Sequence, residues 1–386
     1  MTPSARQALL LDLLSPQAPA APALAAAGGE DWQALLAMAR THRVGPLLNR
    51  RLADAALRVP APVRQALATE HRRHAMRSLL WQRDLLQAHQ ALVAADVEHC
   101  VLKGPLLALG AYADPALRPL RDLDLLVPRA EALRAWHALV AAGCTPQKSA
   151  GDPRAALQSG AKHLPPLHAA TGGFAIELHV ALTDNEHRLA GASDPAEDPA
   201  FWARRRPFAL AGHALPGCGP TDLLFHLAGH AVYGHAFDNG PLLLADVERL
   251  LATQTIDWPL FWQQAHRLGM ARGCALVLAM AAPASPSIDW PAGVARPDAA
   301  VCADLRLLML REQALRSEAR LHAALQGRPL RERFSVLLRR ARAIRPARWP
   351  AAAQKLVRIL RLQRQDPLFA DDSARLVRLQ RWLHEG

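Results

Sequence analysis

Apolar residues recur with helical spacing along most of the chain, and this spacing predicts helices on both sides of one central region. In the first 96 residues it predicts helices at 6–14, 32–42 and 63–95. After Gly219 it predicts further helices at 221–235, 242–253, 259–268 and 271–281. Two proline-rich segments, 16–27 and 283–297, interrupt the pattern and indicate loops.

Between residues 97 and 215 the apolar runs are shorter and are bounded by Gly and Pro. They predict strands near 98–102, 120–127, 163–168 and 174–182, with helices at 106–112 and 129–142. This pattern predicts an α+β fold, in which a mixed β-sheet core is flanked by helices and by helical N-terminal and C-terminal regions. We divide the chain into a helical region 1–96, the core 97–215, a helical pocket region 216–284 and a basic helical region 285–386.

The composition favours a globular, mainly helical protein. Of the 386 residues, 51% are hydrophobic but only 5% are aromatic, which suits helices better than sheets. No basic segment followed by an apolar run opens the chain, and no apolar stretch reaches about 18 residues. The five cysteines show no C-x-x-C spacing. We therefore expect reduced thiols in a cytoplasmic protein without a transmembrane segment.

Positive charge is concentrated at the C-terminal end. The formal net charge is +12, and residues 311–386 hold 17 Arg and one Lys against seven acidic residues. A block of this kind can bind nucleic acid or a membrane surface. The alternative is a solvated, arginine-rich helix face, because no known RNA-binding module is present.

Asp122 and Asp124 alternate with apolar residues on the predicted strand 120–127. Residues two apart in a strand point to the same face, so these two like charges need a compensating partner. Mg²⁺ is one such partner, because it binds a few carboxylates together with substrate phosphates; a solvated surface pair is the alternative. On the strand 174–182, Glu177 offers a third carboxylate on the same face as His179, with a salt bridge as the alternative.

The strand 98–102 ends in Lys103-Gly104, just before a predicted helix. Such a turn presents backbone N–H groups to an anion, and Lys103 adds a positive charge that can reach a phosphate. The alternative is a turn in which Gly104 supplies backbone freedom and Lys103 is solvated.

His226 and His230 lie four residues apart and therefore share one helix face. Zinc ligands have this spacing too, but the Glu of the H-E-x-x-H motif is missing. We interpret both histidines as lining a pocket or the core, with acceptor contacts or Zn²⁺ binding as alternatives. Asp246, on the helix 242–253, is interpreted as a surface or capping carboxylate outside the site.

Together, three motifs resemble the nucleotidyltransferase (polymerase β-like) superfamily and, more narrowly, the bacterial uncharacterised nucleotidyltransferase family. They are Leu102-Lys103-Gly104, the segment 118–127 with Arg118 before Asp122-Leu123-Asp124, and Glu177-Leu178-His179. The resemblance covers roughly residues 30–255 and includes the segment 220–230 with its two histidines. The chain departs from the superfamily in two places: Lys-Gly replaces the usual Gly-Ser turn, and Glu stands where many members have Asp.

The resemblance implies a nucleotidyltransferase-type sheet with Asp122, Asp124 and Glu177 as catalytic metal ligands for two Mg²⁺ ions. It implies that Lys103, Gly104 and Arg118 contact the triphosphate of an NTP, and we expect His179, His226 and His230 to line the same pocket. The expected reaction moves a nucleoside monophosphate to a small-molecule, peptide or protein acceptor. The alternatives are a catalytically degenerate module that binds nucleotide or a partner, and an RNA-binding protein that uses the basic C-terminal region.

Overall fold

The computed structural model describes residues 1–15, 24, 26–54, 59–147, 151–237, 239–281, 288–310 and 367–384. The chain divides into two compact units, Met1–Val294 and Ala295–Gly386. No helix among the described residues is both long enough and apolar enough to span a membrane. The five cysteines are free thiols, as predicted.

At the start of the first unit, the described residues form the helices α1 (Pro3–Leu14), α2 (Gly29–Thr41), α3 (Gly45–Asp54) and α4 (Ala61–Ala94). The longest, α4, buries Trp81, Leu85 and Leu92 in the core beneath the sheet. Helix α3 packs along α4. Side-chain hydrogen bonds from Asn49 to His71 (3.2 Å) and from His71 to Asp114 (2.8 Å) connect these helices to the sheet region.

Seven strands form one mixed sheet in the order β3-β4-β5-β2-β1-β7-β6. The strands are β1 (Cys100–Val101), β2 (Asp122–Leu126), β3 (Thr145–Pro146), β4 (Leu167–His168), β5 (Ala175–His179), β6 (Arg206–Leu210) and β7 (His213–Gly217). Strand β2 pairs in parallel with β5 and antiparallel with β1, while β1 pairs in parallel with β7. The predicted α+β fold with a mixed sheet is thereby confirmed.

The two faces of β2 and β5 differ in polarity, because successive side chains point to opposite sides of a sheet. Leu123 and Leu125 of β2 and Ile176 and Leu178 of β5 lie in the hydrophobic core. The alternate residues of both strands therefore share the other face. This alternation sets a row of polar side chains at the centre of the sheet.

Short helices connect the strands, and a helical layer follows them. The connecting helices are α5 (Gly104–Gly110), α6 (Ala132–Ala141), α7 (Pro153–Gln158) and α8 (Pro199–Ala203). The helices after the sheet are α9 (Pro220–Gly229), α10 (Leu242–Thr253), α11 (Trp258–Arg267) and α12 (Ala271–Ala281). A π-helical turn, His230–Gly234, extends α9.

In the second unit the structure describes α13 (Ala299–Met309) and α14 (Pro367–His384). Asp304 of α13 accepts hydrogen bonds from Arg375 (3.4 Å) and Arg378 (2.7 Å) of α14. Most of the predicted basic region falls on residues 311–366, outside the described residues. Nucleic-acid binding by this region therefore stays a prediction, as does the division into four regions.

Candidate functional site

Strands β2 and β5 bring three of the predicted site residues together. Their parallel register pairs Asp124 with Glu177 and Leu126 with His179, so the side chains of Asp124, Glu177 and His179 share one face. In the described part of the chain, each of these three residues offers one possible metal-ligating atom, and the three atoms lie within 4.8 Å of one another. Asp122 shares this face but lies outside that group.

The carboxylate of Asp124 is the most contacted group of the site. Its Oδ1 atom accepts a hydrogen bond from Lys103 Nζ at 3.0 Å and lies 2.7 Å from His179 Nε2. The same His179 nitrogen lies 3.6 Å from Glu177 Oε2. Both close contacts of Asp124 end at Oδ1, and the described residues form no hydrogen bond to Oδ2.

These contacts set the protonation states of the group. Burial by itself would raise the pKa of Asp124, but the Lys103 ammonium and the hydrogen bond with His179 outweigh it and hold the pKa below its ordinary value. The ion pair with His179 lowers the pKa of Glu177 as well. Burial and Lys103 lower the pKa of His179, yet the hydrogen bond with Asp124 and the ion pair with Glu177 leave it raised. Both carboxylates are therefore ionised at neutral pH.

The environment of Asp122 disfavours the ionised form of its carboxyl group. Burial, followed by repulsion from Asp124, raises the pKa of its carboxyl. Lys103 and Arg118 act in the opposite direction but do not restore the ordinary value. The side chain of Asp122 forms no hydrogen bond and no ion pair with the described residues. A half-buried carboxyl group that has no hydrogen bond or ion pair among the described residues fits the binding of a cation.

Lys103 reaches Asp124 from a strained turn. Its φ angle is 44°, a value that residues other than glycine rarely adopt. The next residue, Gly104, begins α5 in very close packing. A Cβ atom at Gly104 would lie 2.5 Å from Leu120 Cδ2 and 2.7 Å from Arg118 Nη1. Glycine at this position therefore permits the arginine to pack against the turn.

Arg118 is fixed by a buried ion pair that the sequence pattern does not reveal. Its guanidinium donates two hydrogen bonds to Asp246 of α10, from Nε to Oδ1 (3.2 Å) and from Nη2 to Oδ2 (2.8 Å). Tyr112 Oη donates a third, to Asp246 Oδ1 at 2.7 Å. Asp246 is only 2% exposed, so its interpretation as a surface or capping carboxylate is wrong. Asp246 holds Arg118 beside Gly104. The Nη1 atom of Arg118 forms no hydrogen bond within this ion pair.

Histidine rings continue from the carboxylates into the helical layer. The centroid of His179 lies 6.3 Å from that of His226, which stacks at 5.6 Å on His230. His226 Nδ1 lies 3.1 Å from the Leu182 carbonyl oxygen, whereas His226 Nε2 and His230 Nδ1 are buried without a hydrogen-bond partner. Burial, and then the charge of Lys103, hold the pKa of both helical histidines well below the ordinary value, so they are neutral.

The structure thus groups Asp124, Glu177, His179 and Lys103, with Asp122 on the same face of the sheet. It places Gly104 beside Arg118, and His226 beside His230. It does not join the two helical histidines to the three-residue group that could hold a metal. The supporting pair of Asp246 and Tyr112 was missed. No local signal identifies it, because Asp246 lies 128 residues from Arg118 along the chain.

Comparison with known proteins gives one match. A family model described as "Uncharacterised nucleotidyltransferase" matches residues 28–284, a segment that contains every predicted site residue. No curated protein and no solved structure matches the chain.

Proposed function

The chain belongs to the uncharacterised nucleotidyltransferase family, and we propose that it is a Mg²⁺-dependent enzyme that transfers a nucleoside monophosphate from an NTP to an acceptor. The observation that carries this proposal is the convergence of Asp124, Glu177 and His179 within 4.8 Å, with Asp122 on the same face of the sheet. The acceptor is a small molecule, a peptide or a protein that carries a nucleophilic group such as a hydroxyl.

The donor atoms suit the proposed cation. Carboxylate oxygens are the ligands that Mg²⁺ prefers, and both Asp122 and the Oδ2 atom of Asp124 offer such oxygens. Bound at Asp122, Asp124 and Glu177, two Mg²⁺ ions would neutralise charge that develops on the attacking and leaving oxygens. The unpartnered, raised-pKa carboxylate of Asp122 supports this fit, because a cation would relieve its repulsion from Asp124.

The remaining site residues have roles that follow from their positions. Lys103, Gly104 and Arg118 would receive the triphosphate, and the ion pair with Asp246 holds the Arg118 guanidinium in one orientation for it. Glu177, kept ionised by its ion pair with His179, would accept the proton of the acceptor group or complete the metal site.

His179, His226 and His230 would line the same pocket. His179 acts as a positioning residue, because its Nε2 atom lies between the carboxylates of Asp124 and Glu177. The buried, unpartnered nitrogens of His226 and His230 are candidates for contacts with the acceptor.

The reaction is tested with two labelled nucleotides. The full chain is incubated with Mg²⁺, candidate acceptors and an NTP that carries ³²P at either the α- or the γ-phosphate. We expect α-label on the acceptor and γ-label in pyrophosphate, for the wild type and for Glu30→Gln, a control at a carboxylate whose side chain is 94% exposed. Asp122→Ala should lose both products, whereas equal turnover in Asp122→Ala would refute the proposed role of the carboxylates.

One observation favours a second candidate, a nucleotidyltransferase-fold module that binds nucleotide without catalysis. Lys103 and His179 already compensate the charge of Asp124 from within the protein. Calorimetry with ATP and Mg²⁺ separates the two candidates. Binding of nucleotide without release of pyrophosphate in the presence of any acceptor would favour the module.

A further inference from the structure

Arg43 lies in the turn between α2 and α3, outside the motifs that define the site. Its φ angle is 58°, in the left-handed region that residues other than glycine seldom adopt. The turn is closed by hydrogen bonds from Arg43 N to Arg40 O (3.1 Å) and from Val44 N to Ala39 O (2.9 Å). Val44 and the following turn of α3 are buried, so the backbone at Arg43 is held firmly.

The guanidinium of Arg43 forms no ion pair with the described residues. Its Nε atom is buried and has no hydrogen-bond partner among the described residues. The carboxylates close enough to act on it electrostatically are Asp122 and Asp246, and Asp246 is already paired bidentately with Arg118. Burial, followed by repulsion from Arg121 and Arg118, lowers the pKa of Arg43 to about 10. It remains charged at neutral pH.

The resulting group of arginines lies at one end of the candidate site. The charges of Arg118, Arg121 and Asp122 act on Arg43, so these groups lie near one another at the end of β2 that Asp122 begins, whereas Glu177 pairs with Asp124 further along the sheet. In an in-line displacement the attacking and leaving oxygens lie on opposite sides of the transferred phosphorus. If Glu177 lies on the side of the acceptor, the arginines near Asp122 lie on the side of the leaving group.

We propose that Arg43 and Arg121 bind the β- and γ-phosphates of the nucleotide, the part that leaves as pyrophosphate. This inference rests on the proposed function, because it takes the nucleotide to be the ligand of Asp122 and Asp124. Guanidinium groups match the geometry of phosphate oxygens and donate charge-assisted hydrogen bonds to them. When Asp122 binds a cation, its charge no longer compensates Arg43, and a polyphosphate would supply the missing negative charge. The N-terminal helices thus contribute directly to the substrate site.

The test measures binding without turnover. Dissociation constants of the full chain for pyrophosphate and for ATP, each with Mg²⁺, are determined by calorimetry for Arg43→Gln, Arg43→Lys and Arg121→Gln. Arg64→Gln is the matched control, since Arg64 is an exposed arginine of α4 and its loss changes the net charge equally. Melting temperatures are recorded for each variant. Arg121 is exposed, so its variant tests the proposal even if Arg43→Gln does not fold.

We expect Arg43→Gln and Arg121→Gln to weaken binding of both ligands by about tenfold or more, as for the loss of a charge-assisted hydrogen bond. Arg43→Lys should lie between Arg43→Gln and the wild type, and Arg64→Gln should bind as the wild type does. Unchanged affinity in Arg121→Gln and in folded Arg43→Gln would overturn the inference, as would a wild type that binds neither ligand. Arginine-dependent binding without nucleotidyl transfer would instead overturn the proposed function alone.

Discussion

The Lys103 ammonium lies 3.0 Å from Asp124 Oδ1, so a lysine occupies one oxygen of a predicted metal ligand. Lys103→Met removes this positive charge. We expect Mn²⁺, used as a probe in the absence of nucleotide, to bind about tenfold more tightly, because a like charge at close range has been removed. Binding of an NTP should weaken in the same variant, because the triphosphate loses a cationic contact.

The matched control for this prediction is Lys162→Met. Lys162 is as buried as Lys103 (13% against 12% exposed) but pairs with Asp184 at 2.7 Å instead of Asp124. Its replacement should leave Mn²⁺ affinity within about twofold of the wild type, well below the change that a direct charge contact produces. Parallel changes in both variants would show that the effect is a general one of net charge.

Asp122→Asn is expected to stabilise the protein in the absence of metal. The folded state raises the pKa of Asp122 through burial and repulsion from Asp124, so the ionised carboxylate opposes folding at neutral pH. For a raised pKa, the stabilising contribution is present at low pH and is lost as the pH rises through the folded-state pKa. The variant should therefore melt roughly 2 °C higher than the wild type near pH 7 in EDTA, with the difference vanishing near pH 4. A lower melting temperature near neutral pH would mean that the carboxylate has a stabilising partner.

The ion pair between Arg118 and Asp246 is expected to contribute strongly to stability. Asp246→Asn leaves the Arg118 guanidinium buried without a compensating anion and should cost about 3–5 kcal/mol in the free energy of unfolding. Tyr112→Phe removes only one hydrogen bond to Asp246 and should cost about 1 kcal/mol. Urea denaturation measures both free energies of unfolding. Equal losses of stability in the two variants would contradict the larger contribution that we assign to the ion pair.

His226 is expected to make the protein sensitive to acid. Burial and the charge of Lys103 lower its pKa in the folded state, so the unfolded chain binds a proton that the folded chain excludes. The stabilising contribution of the neutral imidazole is then present above the unfolded-state pKa of His226, and it is lost as the pH falls. Between about pH 6.5 and about pH 5.5 the wild type should lose about 1 kcal/mol more than His226→Gln, in which the amide can still donate to the Leu182 carbonyl. An identical pH dependence would exclude burial of a neutral imidazole.

Much of the sheet could be predicted because its central strands alternate strictly between polar and apolar residues. The alternation places Asp122 and Asp124 on the polar face of β2, and Glu177 and His179 on that of β5. The hairpin of β6 and β7 was not predicted, since its residues do not alternate clearly. Only Gly212 indicates a hairpin turn in the sequence. In the structure, both Ala211 and Gly212 have positive φ angles (49° and 82°).

The supporting part of the site could not be predicted for a different reason. Spacing along a strand or helix reports which residues share a face, but not which distant element packs against that face. Asp246 on its own resembles any polar residue of an amphipathic helix, and its partner Arg118 lies in another region. Arg43 likewise precedes the site by many residues and is brought near Asp122 only by the packing of α3 and α4.

The most direct test of the metal–nucleotide site is a crystal structure of the wild type with Mn²⁺ and a non-hydrolysable NTP, in which Mn²⁺ is located by its anomalous scattering. We predict an anomalous peak about 2.1 Å from oxygens of both Asp122 and Asp124, as for Mg²⁺ ligands, with phosphate oxygens completing the coordination. Lys103 should then contact a phosphate instead of lying on Asp124 alone. A nucleotide bound elsewhere in the crystal structure, with no anomalous peak at Asp122 and Asp124, would contradict the proposed metal–nucleotide site.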